Sequence, residues 1–122
     1  MTKIFHLFSL LIGFSVFGQT IIYSTDFQGG IPSEFTIIDN DLNTPAPQVS
    51  EFNAAWICIE DPENTSDSIA ASTSYFSAPD TANRWMITSS LSLGSSGNKF
   101  YWNAKSQDPS FPDDYFVLVS TT

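Results

Sequence analysis

The sequence predicts an all-β protein, a sandwich or barrel of short antiparallel strands, and three observations support this prediction. No helical periodicity occurs after residue 18. Short runs of β-branched and aromatic residues instead alternate with turn-forming Gly, Pro, Asn, Asp and Ser, which is the spacing typical of β-sandwiches. Several runs alternate apolar and polar residues with a period of two, the pattern of a strand with one buried face.

The first element is a predicted secretory signal peptide over residues 1–18. Lys3 gives a positive start, residues 4–17 form an apolar stretch, and Val16-Phe17-Gly18 places small residues at a cleavage site before Gln19. An N-terminal strand and an uncleaved anchor are the alternatives, although a membrane-spanning helix needs about 20 apolar residues. We therefore expect a protein that is secreted or held at the outer cell surface, with no membrane insertion after signal cleavage.

Residues 19–122 form the predicted single domain, and it is strongly acidic. It keeps Arg84, Lys99 and Lys105 against 13 Asp and Glu residues, a net charge of −10 (3 cations minus 13 acids). Nucleic-acid binding depends on cationic side chains that displace counterions, so a nucleic-acid partner is excluded. Anionic lipid surfaces are disfavoured for the same reason. Calcium, neutral glycans and extracellular proteins remain electrostatically permitted.

Seven runs are predicted strands: Thr20–Thr25, Phe35–Asp39, Ala55–Ile59, Ile69–Phe76, Arg84–Leu93, Lys99–Lys105 and Tyr115–Thr121. The alternation in the fifth and sixth runs assigns Trp85, Ile87, Phe100 and Trp102 to core-facing sides. Residues 115–119 are apolar on both faces, which predicts a central strand covered on both sides. A central strand needs a neighbour at each edge. We therefore expect the sandwich to be incomplete at its C-terminus and the domain to continue beyond Thr122.

Cys58 is the only cysteine, so the sequence predicts a domain without an intrachain disulfide. Its neighbours Trp56, Ile57 and Ile59 favour a buried thiol that packs as a small apolar group. Pairing with a cysteine of another chain is the alternative.

Five segments resemble the cleaved-adhesin, or choice-of-anchor J, domain family over residues 23–122. They are Asp26-Phe27-Gln28-Gly29-Gly30-Ile31-Pro32, Phe35–Asp41, Asn83-Arg84-Trp85-Met86-Ile87-Thr88-Ser89, Phe100–Pro112 and Asp114–Thr122. The resemblance implies a jelly-roll β-sandwich, often calcium-bearing, in secreted or surface-anchored proteins of Bacteroidetes-type bacteria. It also implies that residues 19–122 are the N-terminal part of a longer, multidomain chain.

The best metal candidate is the acidic loop that follows the second run. Asp39, Asp41 and Asn43 alternate along this loop, and alternating side-chain oxygens can be directed at one calcium ion. The loop is not an EF-hand, because it lacks the required Gly and the final Glu. Asp26 and Asp114, at strand ends beside aromatic residues, are further possible ligands. The alternative for Asp39, Asp41 and Asn43 is an Asx-turn, in which these side chains cap their own backbone. The alternative for Asp26 and Asp114 is that each is a solvated residue at a strand end. If calcium binds, it should raise the melting temperature.

Aromatic side chains are the candidates for ligand contact. Tyr101 lies opposite the predicted core side of its strand and Phe111 lies in a loop, so both are predicted to face a glycan. Trp85 and Trp102 could also stack on sugar rings, but their positions on apolar strand faces favour core packing.

An enzymatic function is not expected. His6 is the only histidine and leaves with the signal peptide, so the exported chain has no imidazole for a nucleophile–base pair. Cys58 accordingly has no base beside it. Paired carboxylates occur at Glu60–Glu63 and at Asp113-Asp114, and a glycosidase needs two such groups about 5–10 Å apart. Adjacent loop acids are more typical of a solvated turn.

Three functions are consistent with these features. The first is an adhesin-like module that binds glycans or extracellular proteins, with calcium holding its loops. The second is a structural spacer in a larger surface protein. The third is a non-catalytic accessory domain of a secreted hydrolase.

Overall fold

The computed structural model describes residues 18–121, and in this part of the chain the protein is all-β. Four strands form two separate two-stranded antiparallel sheets, and the only helical element among them is a short 3-10 helix at Pro47–Val49. The predicted signal peptide lies outside the described residues apart from Gly18. No helix within residues 18–121 has the length and apolar character needed to cross a membrane.

The first sheet pairs β1, Thr36–Asp39, with β4, Arg84–Ile87, the last strand within residues 18–121. Thr36, Ile37 and Ile38 are β-branched, which favours the pleated conformation. The register places Asp39 directly opposite Arg84. Beyond that pair the chain leaves the sheet, and the N–H of Asn40 donates to the carbonyl of Asn83 at 3.0 Å.

The second sheet is a hairpin of β2, Ile57–Asp61, and β3, Asn64–Ala71. Pro62 and Glu63 form its two-residue turn, and the register shifts between Glu60 and Asp61. At the opposite end of the hairpin, the Ser72 hydroxyl donates to the carbonyl of Ala55 at 2.6 Å. The hairpin is therefore fixed at both ends by polar contacts.

The segment between β1 and β2 packs against the segment that follows β3. An isolated bridge joins Pro45 to Phe76, and the N–H of Ala46 donates to the carbonyl of Tyr75 at 2.9 Å. Among the described residues, the buried apolar side chains are Ala46, Ala55 and Phe76. This small core lies beside the loop that leaves β1.

Four of the seven predicted runs contain strands, and the predictions for the other three are wrong. Thr20–Thr25, Lys99–Lys105 and Tyr115–Thr121 are not strands over the residues that the structure describes, and the fifth run forms a strand only over Arg84–Ile87. A strand is defined by backbone hydrogen bonds to a neighbouring strand. These segments have the composition of strands but no such neighbour between residues 18 and 121.

The predicted burial of several side chains is wrong for the same reason. Trp85, Phe100 and Trp102 are exposed, and so is the apolar run 115–119 that was expected to be central. In β4 it is Met86, not Trp85 or Ile87, that lies on the half-buried face. Cys58 is exposed as well, with its Sγ 3.4 Å from the carbonyl of Phe27.

Candidate functional site

The loop that follows β1, residues 39–43, folds back on its own carboxylates. The N–H of Leu42 donates to Asp39 Oδ1 at 3.0 Å, and the N–H of Asn43 donates to Asp41 Oδ1 at 2.8 Å. Leu42 adopts a φ of 54°, in the left-handed region that non-glycine residues rarely occupy. The side-chain contacts on either side of Leu42 hold the backbone in this turn. We call residues 39–43 the acidic loop.

Arg84 inserts its guanidinium group among the oxygens of the acidic loop. Its Nε lies 3.3 Å from Asp41 Oδ2, and its Nη2 lies 3.4 Å from Asp41 Oδ1 and 3.1 Å from the carbonyl oxygen of Asn43. Asp39 Oδ2 is 3.9 Å from Nη2. The side chains of Arg84 and Asp41 are each only 3% exposed. This is a buried, two-pronged ion pair with a second carboxylate beside it.

An aromatic ring lies on another side of the guanidinium. The Arg84 Cζ is 4.7 Å from the centre of the Phe76 ring, within the range of a cation–π contact. Arg84 Nη1 is buried and has no hydrogen-bond acceptor. The face of the Phe76 ring therefore interacts electrostatically with the Arg84 guanidinium, in which Nη1 makes no hydrogen bond. Arg84 thereby links β4, the acidic loop and the small core.

The Asp41 carboxylate is stabilised in its ionised form. Burial raises the pKa of Asp41, but hydrogen bonds from the N–H groups of Asn83 and Asn43, together with the guanidinium of Arg84, outweigh burial and hold that pKa below its ordinary value. The Asn83 N–H lies 2.7 Å from Asp41 Oδ2. The Asp41 carboxylate is therefore ionised at neutral pH.

The predicted metal ligands are brought together only in part. Asp39, Asp41 and Asn43 do surround one cation, but that cation is Arg84. Asp26 instead accepts the N–H of Gln28 at 3.1 Å, and Asp114 is exposed. Between residues 18 and 121, no three carboxylate, Cys or His side chains are grouped so that they could hold a metal ion. As the acidic loop is arranged here, its oxygens accept hydrogen bonds from the Arg84 guanidinium and from backbone N–H groups, as in an Asx-turn.

A second ion-pair cluster escaped the sequence analysis. Lys105 Nζ lies 2.7 Å and 3.0 Å from the two oxygens of Asp61, and 2.7 Å from Glu63 Oε2. The Lys105 contact lowers the pKa of Asp61, and the Asp61 and Glu63 contacts raise the pKa of Lys105, so the charged forms of Asp61 and Lys105 are favoured. The cluster attaches residues near 105 to the turn of the β2–β3 hairpin.

The acids at Asp61 and Asp113 are predicted to be solvated turn residues; Asp113 is exposed, but for Asp61 the prediction is wrong. Asp61 is buried and bound to Lys105. Asp113 accepts the hydroxyl of Ser74, with distances of 2.7 Å and 2.6 Å to its two oxygens. The scarcity of cations was the signal available in the sequence. With only three cations for 13 acids after residue 18, each cation has several carboxylates with which it can form an ion pair.

Three aromatic residues near the C-terminus contact one another at the surface. The rings of Phe100 and Trp102 are stacked, with centroids 5.1 Å apart and planes inclined by 20°. Trp102 Nε1 donates to the hydroxyl oxygen of Tyr115 at 3.2 Å. Phe100 is 63% exposed and Trp102 is 52% exposed. We call Phe100, Trp102 and Tyr115 the aromatic cluster.

The two predicted ligand-binding residues lie close to this cluster in sequence. Tyr101 is 74% exposed and Phe111 is 78% exposed, so both are accessible to a ligand. Phe111 lies at the end of a turn in which its N–H donates to the carbonyl of Asp108 at 3.1 Å. Phe100 was not a candidate from the sequence, and core packing was favoured for Trp102, because the alternation in their run assigns both residues to the core side.

Comparison with known proteins identifies no relative: no family model, no curated protein and no solved structure matches the chain. The likeness to cleaved-adhesin domains therefore stays a resemblance that rests on the segments quoted above. The geometry of the acidic loop, the Lys105 cluster and the aromatic cluster provides the remaining basis for a functional hypothesis.

The lowered pKa of Asp41 predicts a specific acid sensitivity. A carboxyl whose pKa is lower in the folded state than in the unfolded state contributes stability above its unfolded pKa, about 3.9 for Asp, and this stability is lost as the pH falls through the folded value. The urea midpoint of the wild-type chain should therefore fall more between pH 5 and pH 3 than that of the Asp41→Asn variant. Urea titrations followed by tryptophan fluorescence at both pH values measure this difference.

Every other acidic residue is the same in both proteins, so the comparison isolates Asp41. Equal losses of stability in the wild type and in Asp41→Asn would contradict the assignment of Asp41 as a stabilising anion.

The Lys105 cluster predicts selective protection from trypsin, which must take a free lysine side chain into its specificity pocket. Cleavage after Lys105 should be slower than cleavage after Lys99, which is exposed and makes no ion pair within residues 18–121. The double variant Asp61→Asn, Glu63→Gln should speed cleavage at Lys105 by roughly two- to fivefold, the scale of a surface ion pair. Mass spectrometry of timed digests gives both rates.

Lys99 serves as the internal control, because its cleavage rate should not change in the double variant. Equal acceleration at both lysines would mean that the substitutions loosen the whole region and that Lys105 is not specifically held.

Proposed function

We propose that this chain is an exported, adhesin-like binding module that engages neutral glycans, carried by extracellular glycoproteins, through the aromatic cluster. The observation that supports the proposal is the pair of stacked and exposed rings of Phe100 and Trp102, together with the hydrogen bond that Trp102 Nε1 donates to Tyr115. Exposed aromatic rings that are held in place are a common feature of binding surfaces.

The chemistry of the cluster suits a sugar ring. The C–H groups of a pyranose form an apolar face that packs on an aromatic ring, while its hydroxyls need polar partners. The Tyr115 hydroxyl already accepts a hydrogen bond from Trp102 and retains its own proton as a donor. Tyr101 and Phe111 add exposed aromatic area in the same part of the chain.

The negative net charge of residues 19–122 affects which glycans can bind. Residues 19–122 carry a net charge of −10, so sulfated or sialylated glycans would be repelled. Two of the three cations in this region, Arg84 and Lys105, are engaged in ion pairs. A neutral glycan meets no such barrier, and this favours neutral glycans over anionic ones.

Two observations favour a non-catalytic role. No histidine occurs after residue 18, and two of the acidic groups that might serve a glycosidase are engaged in other contacts. Asp61 binds Lys105 and Asp113 binds Ser74. We therefore assign the chain to binding and not to catalysis.

The wider context of the proposal comes from the sequence. The signal-like residues 1–18 favour a secreted or outer-surface location, and the resemblance to cleaved-adhesin domains favours a jelly-roll β-sandwich within a longer surface protein. The all-β class and the antiparallel sheets agree with such a sandwich. Calcium stays a prediction, and glycan binding as proposed here does not require it.

A glycan array tests the proposal directly. The wild-type chain should bind neutral glycans in preference to sulfated or sialylated ones, and Trp102→Ala should weaken this binding at least about tenfold, equivalent to about 1.4 kcal/mol. Tyr115→Phe removes the hydroxyl while keeping the ring, and should weaken binding to a smaller extent. Titration of the best array ligand by calorimetry quantifies each variant.

Tyr75→Ala is the matched control, because Tyr75 is an exposed aromatic residue outside the cluster and its loss should leave binding unchanged. No retention of any neutral glycan by the wild-type chain would contradict the proposal. Binding only to an extracellular protein from which the glycans have been removed would indicate a protein ligand, and binding to neither would favour the spacer or accessory role.

A further inference from the structure

We infer that Arg84 serves as the built-in cation of the acidic loop, filling the position for which the alternating side chains predict calcium. The guanidinium contacts oxygens from the three alternating residues that were predicted as metal ligands. It is 3.3 Å from Asp41 Oδ2, 3.1 Å from the carbonyl oxygen of Asn43 and 3.9 Å from Asp39 Oδ2. Two carboxylates and a backbone carbonyl are also a set of oxygens that calcium would take.

The distances distinguish a guanidinium from a metal. Calcium binds six to eight oxygens at about 2.3–2.6 Å. The oxygens of the acidic loop instead lie at hydrogen-bonding or ion-pair distances from the Arg84 nitrogens, and both oxygens of Asp41 also accept backbone N–H groups, from Asn43 and Asn83. Backbone donors point toward Asp41 in positions where a bound cation would repel them.

Charge makes the two cations mutually exclusive. The Arg84 and Asp41 side chains are each 3% exposed, so charges at this place are poorly screened by water. A divalent ion beside the guanidinium would face strong repulsion, because Asp39 and Asp41, the carboxylates it would need, already contact that positive charge. The acidic loop therefore binds one cation at a time, and that cation is the guanidinium of Arg84.

The consequence is a loop whose order does not depend on the supply of calcium. Arg84 reaches the acidic loop from β4 because the register pairs it with Asp39, and its guanidinium packs against the Phe76 ring at 4.7 Å. The connection between β1, β4 and the small core is thus made by a covalently attached cation. This inference concerns the stability of the loop and is independent of glycan binding.

The test measures the melting temperature of the full chain in 10 mM CaCl2 and in EGTA, with 10 mM MgCl2 as the control for ionic strength. For each protein we take the rise in melting temperature on going from EGTA to calcium. We then subtract the rise measured for the same protein carrying the additional substitution Asp41→Asn, and call the difference the Asp41-dependent calcium response. We expect this response to be zero in the wild type. In Arg84→Ala it should be at least about 5 °C, because the oxygens are then free to bind the metal.

Two results would overturn the inference. The first is an Asp41-dependent calcium response in the wild type, because calcium would then bind while the guanidinium is present. The second is the absence of such a response in Arg84→Ala, including the case in which this variant is unfolded in both calcium and EGTA. An Arg84→Ala variant that folds only in calcium would support the inference most strongly.

Discussion

The buried ion pair between Asp41 and Arg84 is the constraint on which the rest of the described structure depends. Each side chain is 3% exposed, so either charge without the other would be buried and uncompensated. Removing one partner of such a pair typically costs about 3–5 kcal/mol, against a total stability of about 5–15 kcal/mol for an ordinary domain. The pair lies at the end of the β1–β4 sheet and beside Phe76, so it fixes the sheet and the small core together.

Polar contacts have an unusually large role because little apolar surface is buried in residues 18–121. The buried apolar side chains there are those of Ala46, Ala55 and Phe76, while long stretches of aromatic and aliphatic residues are exposed. Lys105 joins its segment to the β2–β3 turn through Asp61, and no strand hydrogen bonds hold that segment. The low burial of apolar side chains also leaves the rings of the aromatic cluster accessible to a ligand. The importance of polar contacts and the proposed binding role therefore have the same physical cause.

The class of fold was predictable from the sequence, and the partners of individual residues were not. Local composition correctly indicated an all-β chain, whereas the Asp39–Asn43 pattern predicted a calcium site or an Asx-turn and gave no indication that the cation at this loop is Arg84. The identity of that cation depends on strand register, because Arg84 reaches the loop only when it pairs opposite Asp39. The alternation of apolar and polar residues assigned Trp102 to a core-facing side of its run. A side chain on that side is buried only if another part of the protein covers it, and the alternation within one run carries no information about what covers it.

A double-mutant cycle on Asp41 and Arg84 tests the central claim most directly. Urea unfolding of the wild type, Asp41→Asn, Arg84→Met and the double variant gives the coupling free energy between the two side chains. The account predicts that the double variant loses less stability than the two single variants lose in sum, by at least about 1.5 kcal/mol. The reason is that each single substitution leaves one charge buried without its partner, and the second substitution removes that charge. Additive losses would show that the two residues act independently, and would contradict the claim that their ion pair organises this part of the protein.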